Sequence, residues 1–133
     1  MYLLDTNVVI ELFKGRYRLN ERLNQIGRTN CRVSEITVIE LWVGAELSQR
    51  REHHSQLIDS FLETVQVVPI SAILHFFAQQ KARLQKLGTP ISDFDLLIGS
   101  TAVVNGWTMV TNNTNHFARI AGIQLEDWTQ AAS

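Results

Sequence analysis

Asp5, Glu40, Asp93 and Asp95, together with the run Thr111-Asn112-Asn113-Thr114, are the residues whose types and settings could do chemistry in this chain. Asp5 directly follows the apolar run Tyr2-Leu3-Leu4. Glu40 stands in Ile36-Thr37-Val38-Ile39-Glu40-Leu41-Trp42-Val43-Gly44-Ala45, where nearly every neighbour is apolar. A carboxylate in that setting needs a partner, a proton or a metal, because desolvating it unpaired costs several kcal/mol. Each feature also has a structural explanation. Asp5 would cap the next helix. Thr37-x-x-Glu40 and Ser92-x-x-Asp95 both have the form of a capping box, and Thr111 to Thr114 reads as a polar turn. Gathered at one place, three or four carboxylates would mostly protonate unless a cation held them, since two of them about 4 Å apart repel by roughly 4 kcal/mol at an effective dielectric of 20. Oxygen-only donors suit Mg²⁺ or Mn²⁺ rather than zinc. The chemistry such an ion supports is phosphoryl transfer or phosphodiester hydrolysis.

The elements that would gather these residues follow from the hydrophobic pattern. Tyr2 to Leu4, Cys31 to Val33, Val65 to Ile70, Trp107 to Val110 and Ile123 to Leu125 read as short apolar strands. Between them lie helical patterns: Val8 to Phe13 (capped by Thr6 or Asn7), Leu19 to Ile26, Ile36 to Leu47, His53 to Glu63, Ser71 to Leu87, Phe94 to Val104 and Asn115 to Ile120. Uniformly apolar strands alternating with helices predict an α/β fold, a parallel sheet covered on both faces. Ligands in such folds sit beyond the carboxyl ends of the strands. Acids or amides follow strands or open helices at four places that this arrangement brings to one edge. Residues two apart on a helix point about 200° apart, so Asp95 is the better ligand of its pair and Asp93 the weaker. Asp95 has Gly99 one turn behind it and Glu40 has Gly44, so each carboxylate has a neighbouring position without a side chain where another segment or a ligand can approach.

At 133 residues the chain has the size of one domain, expected over 1–133, and at 45% hydrophobic and 19% charged it is far from the disordered class. The single cysteine, Cys31, makes no internal disulfide. No signal peptide and no membrane span are read, which predicts a cytoplasmic protein. Net charge is −1, but setting Asp5, Glu40, Asp93 and Asp95 aside leaves 12 basic against 9 acidic side chains, a surface of +3 that tolerates a polyanion. Lys14, Arg16 and Arg18 form a basic turn beside the proposed edge, placed to hold a nucleic-acid backbone. Lys81, Arg83 and Lys86 form a second cluster whose default is a solvated face. The residues next to the acids, Thr6, Asn7, Lys14, Arg16, Thr111 and Asn112, are the candidate substrate contacts. His53, His54, His75 and His116 show no mutual metal spacing and read as ordinary surface or core histidines.

The motifs, taken together, resemble those of the PIN-domain ribonucleases, specifically the VapC-type toxins of bacterial toxin–antitoxin pairs. Tyr-Leu-Leu-Asp5-Thr-Asn, Ile-Thr-Val-Ile-Glu40-Leu-x-x-Gly-Ala, Asp95-Leu-Leu-Ile-Gly, Val-Thr111-Asn-Asn113-Thr-x-x-Phe117 and Gly-Ile-x-Leu-Glu-x-Trp128 occur in family order and span nearly the whole chain. The resemblance implies a three-layer α/β/α sandwich around a central parallel sheet. It also implies Mg²⁺- or Mn²⁺-dependent endonucleolytic cleavage of RNA, with Asp5, Glu40 and Asp95 as the acidic metal site. Asn113 falls where many members carry a fourth acid, so this chain has one anionic ligand fewer. Asp93 is outside the common pattern, either an additional ligand or a cap. A homodimer, and a cognate VapB-like antitoxin whose tail fills the active-site groove, are also implied.

Two other enzyme classes fit worse. A haloacid-dehalogenase-type phosphatase wants Asp-x-Asp-x-Thr, and this chain has Asn7 and Val9 at the later positions. A receiver domain wants a late lysine, and none follows Lys86. The alternative from a different class is a PIN-like binding module that has lost catalysis; intact Asp5, Glu40 and Asp95 argue against it.

Overall fold

Short strands and longer helices alternate along the chain. β1 (Tyr2–Leu4) is followed by α1 (Thr6–Phe13), α2 (Leu19–Ile26), β2 (Cys31–Ser34), α3 (Glu35–Leu47), α4 (Arg51–Leu62) and β3 (Gln66–Val68). Then come α5 (Leu74–Lys86), α6 (Asp93–Asn105), β4 (Thr108–Val110), α7 (Thr114–Phe117) and β5 (Gln124–Glu126). The computed structural model describes residues 1–130; the last three residues of the predicted 1–133 unit lie outside the described residues. All five strands pair in parallel in the order β3-β2-β1-β4-β5.

Side-chain alternation along the strands builds two cores, one on each face. Leu4, Cys31, Val33 and Val110 pack with Val8 and Val9 of α1, Leu23 of α2, Leu41 of α3 and Phe61 of α4. Leu3 and Met109 point the other way, onto Leu84 of α5, Leu96 and Ile98 of α6 and Phe117 of α7. The result is the expected three-layer α/β/α sandwich. Trp128 closes the first core edge-on to Tyr2, with ring centroids 5.3 Å apart, while Trp42 and Trp107 lie partly buried against the two cores.

Connectivity fixes where the site must be. From β1 the chain steps outward to β2 and β3 on one side, then returns across the sheet to β4 and β5 on the other. The strand order therefore reverses at β1, and the crevice beyond the carboxyl ends of β1, β2 and β4 is where such sheets bind ligands.

Helix starts differ from expectation in ways that bear on the site. α1 begins at Thr6, two residues before the expected Val8, so of the expected caps it is Asp5 that serves and not Thr6 or Asn7. α3 begins at Glu35, capped by Ser34, whose Oγ accepts the Ile36 amide at 3.1 Å. Thr37 thus lies inside the helix, and the capping-box explanation of Glu40 fails, because a cap must precede the first helical residue. α4 starts two residues earlier than expected, at Arg51, and α5 three later, at Leu74, because Ser71 and Ala72 fall in a turn.

Candidate active site

Asp5 leaves β1 as the cap of α1, with Oδ1 accepting the Thr6 amide at 2.8 Å and Oδ2 accepting the Thr111 hydroxyl at 2.9 Å. Thr111 is the first residue past β4, the strand beside β1, and the Asp5 amide donates to the Val110 carbonyl at 2.9 Å. Sheet pairing alone therefore joins residues 106 positions apart. Asp5 is only 3% exposed. Burial pushes its carboxyl up from 3.8 to about 6; the Thr111 hydroxyl and the Thr6 amide hold it down, and the negative charges of Asp95 and Glu40 add to the rise. Both acids are therefore near enough for their charge to reach Asp5.

Glu40 reaches the crevice from the second turn of α3. The Thr6 hydroxyl donates to its Oε1 at 2.7 Å and lies 3.0 Å from the Thr37 hydroxyl, one turn earlier on α3. The residue after Asp5 thus ties α1 to the acid on α3.

Asp95 enters from the first turn of α6. Ser92 caps that helix, its Oγ 3.4 Å from the Asp95 amide, but the reciprocal half of a capping box is missing. The Asp95 carboxylate turns instead to α7, where its Oδ2 lies 3.1 Å from His116 Nε2. One turn further along, a methyl group at Gly99 would overlap the Ile120 side chain and touch Phe117, so the missing side chain lets the α7 segment sit down on α6. The glycine behind Glu40 works differently. Gly44 has nothing within 4 Å of a Cβ position and lines a cavity of about 340 Å³ between α1, α3 and α4. Ile10, Phe13, Leu41 and Leu57 wall this cavity, with Lys14, Arg50 and His53 also lining it, and Glu40 is shared between cavity and crevice.

The other sequence-predicted residues are placed as follows. Asp93 points away from Asp95, exposed and paired with Lys81 at 2.8 Å. Asn113 is exposed; its backbone amide donates to Thr111 Oγ1 at 3.0 Å, and its side chain makes no hydrogen bond among the described residues. Asn7 and Asn112 are exposed beside Asp5 and Thr111 in sequence, while the Thr6 and Thr111 hydroxyls are engaged with Glu40 and Asp5. Arg16 is paired with Glu11 at 3.3 Å and Arg18 with Glu21 at 3.1 Å, both on the surface, and Lys14 lines the cavity. His116 is the site residue that the sequence reading left among ordinary histidines; its signal is its position just after the Thr111-Asn112-Asn113 edge.

The donor set fits a hard divalent cation. Glu40 Oε2 and Asp95 Oδ1 have no hydrogen-bond partner among the described residues, and each Asp5 oxygen keeps a lone pair beyond the bond it accepts. Among the described residues no three Asp, Glu, His or Cys side chains are close enough to grip an ion as they stand. Glu40 and Asp95, both only partly buried, are each held through one oxygen and keep the other free to turn toward a cation beside buried Asp5.

Comparison with known proteins identifies the family. Residues 2–123 match the PIN domain family. The tRNA(fMet)-specific endonuclease VapC of Shigella flexneri is 35% identical over 130 residues, covering 96% of this chain and 98% of that one. Ribonuclease VapC2 of Haemophilus influenzae (strain ATCC 51907 / DSM 11121 / KW20 / Rd) is 36% identical over 130 residues, covering 96% and 97%. The crystal structure of VapBC2 from Rickettsia felis bound to a DNA fragment from their promoter superposes with a TM-score of 0.88 at 30% identity, over 96% of this chain and 98% of that one. The chain belongs to the PIN-domain family. Within that family it is a VapC-type ribonuclease toxin of the toxin–antitoxin class. No helix among the described residues is long and apolar enough to cross a membrane.

Proposed function

We propose that residues 1–133 act as one PIN domain that hydrolyses RNA phosphodiester bonds in the cytoplasm, with Asp5, Glu40 and Asp95 holding Mg²⁺ or Mn²⁺. The observation that carries this reading is the joined crevice: Thr6 and Thr111 each give a hydroxyl to one of two acids, Glu40 and Asp5, at the reversal point of the sheet. When bound, such an ion activates water and neutralises charge developing on the phosphate. The chain's own groups do the rest. Asp5 is the fixed ligand, because two hydrogen bonds and burial hold its carboxylate in place. Glu40 and Asp95 close from either side. Exposed Asn113 and Asn112 at the lip orient a water or a phosphate oxygen, and Lys14 holds the backbone of the RNA. Asp93 contributes through its Lys81 pair to the wall rather than as a ligand.

The cavity beside Glu40 suits an apolar side chain of the cognate antitoxin, a segment of which, seated there, covers the acid at its inner end. The outer stripe of α3, where Ile39, Val43 and Leu47 stand 46%, 51% and 82% exposed at helical spacing, suits a homodimer contact.

The test is incubation of end-labelled total RNA, which includes transfer RNA, with the purified chain, with and without Mg²⁺ or Mn²⁺, beside Asp5→Asn. Discrete products that require both the ion and Asp5 are expected. Folded, metal-binding protein that cuts nothing would overturn the ribonuclease reading in favour of a binding module.

A further inference from the structure

We infer that His116 is a positioning residue for Asp95, holding through Nε2–H the carboxylate oxygen Oδ2 so that Oδ1 is left to ligate the ion. The inference rests on the metal-site reading above, and its argument is geometric. Asp95 is the third residue of α6, its side chain 34% exposed, and it is repelled by buried Asp5. Left alone, such a carboxylate rotates toward solvent. His116 Nε2 stands 3.1 Å from Oδ2, from a side chain 23% exposed, and so opposes that rotation.

The histidine is itself held. Its ring lies edge-on to Phe117, centroids 5.1 Å apart and planes at 86°, and Phe117 is 1% exposed in the core beneath α6. Phe117 and Ile120 in turn pack where Gly99 has no side chain. A chain of fixed contacts therefore runs from the Gly99 face of α6 through α7 and back to Asp95. Asn113, whose side chain makes no hydrogen bond among the described residues, has no such tie to any acid there. A hydrogen-bond partner of a metal-ligating carboxylate is worth about 10–100-fold in metal affinity or activity when removed.

Two measurements test this. The first is Mn²⁺ affinity by calorimetry on the full chain, which needs no RNA. His116→Ala should weaken Mn²⁺ binding about 10–100-fold while leaving the melting temperature within about 3 °C. His116→Gln, which keeps an N–H at nearly the same reach, should recover most of that loss. Unchanged affinity in His116→Ala overturns the inference. So does His116→Gln binding as weakly as His116→Ala, since that pattern marks the ring nitrogen as a ligand in its own right. The second is the tautomer of His116 in the metal-free protein, read by two-bond ¹H–¹⁵N correlation. An Nε2-protonated ring that changes state in Asp95→Ala is expected, and an Nδ1-protonated ring overturns the inference. If the Mn²⁺ affinities fall in the expected order and no RNA is cut, the ribonuclease reading fails and the role of His116 stands. If wild type binds no Mn²⁺, both fail.

Discussion

The Thr6 hydroxyl donates to Glu40 Oε1 at 2.7 Å, so the residue that follows one acid in sequence orients another acid that arrives from a different helix. Thr6→Val keeps the shape and removes the donor. Glu40 then loses its fixed rotamer, and Mn²⁺ affinity and RNA cleavage should each fall about 10–100-fold. Loss of the hydrogen bond should cost about 1–2 kcal/mol in urea unfolding. Unchanged metal affinity would remove Thr6 from the site.

Asp5→Asn should reduce RNA cleavage to background while the protein remains folded. The amide keeps an acceptor for the Thr6 amide but brings no charge to the crevice. Near-wild-type cleavage in this variant would show that the ion is held elsewhere.

The same substitution has a pH signature in the metal-free protein. The Asp5 carboxyl titrates near about 6 when folded, against 3.8 ordinarily. Between those values the folded chain holds a proton that the unfolded chain has released, so stability falls as pH rises through this window. The penalty is absent below about pH 4 and complete above about pH 6, and amounts to about 3 kcal/mol. Asp5→Asn should be the more stable protein at about pH 7.5, with the difference gone near pH 4. Equal stabilities at both pH values in urea titrations would refute the buried-charge account.

The two glycines behind the acids should respond oppositely to alanine. Gly99→Ala meets Ile120 and Phe117 and should destabilise by about 1–3 kcal/mol through overpacking. Gly44→Ala meets nothing and gains helix propensity, so it should stabilise by about 0.5–1 kcal/mol. Thermal unfolding of both variants checks the pair, and a stabilising Gly99→Ala would contradict the close approach of α7.

Val43→Glu places a charge at the centre of the exposed α3 stripe. It should leave the fold intact and turn the proposed homodimer into a monomer by light scattering. An unchanged mass would overturn α3 as the proposed homodimer contact.

Much of this was legible from the chain. Leu3-Leu4 and Met109-Val110 are apolar on both faces, which only a sheet covered on both sides explains, and Asp5 and Thr111 come directly after them. The start of α3 was not legible, because Ser34 and Thr37 are equally good caps by composition and only backbone geometry selects Ser34. Nor was His116. Its partner lies 21 residues away, and their meeting depends on how α7 packs at Gly99, a tertiary event without a local signature.

The bond from Thr111 to Asp5 spans 106 positions and requires β4 to be laid against β1. β1, β2 and β3 with their helices all precede residue 108 in the chain, yet without β4 Asp5 lacks the threonine that its Oδ2 accepts from. Completion of the crevice is therefore a late event in assembly: it waits for a strand from the second half of the chain to be laid along the free edge of β1, and a sheet of β1, β2 and β3 alone leaves Asp5 Oδ2 without its hydroxyl.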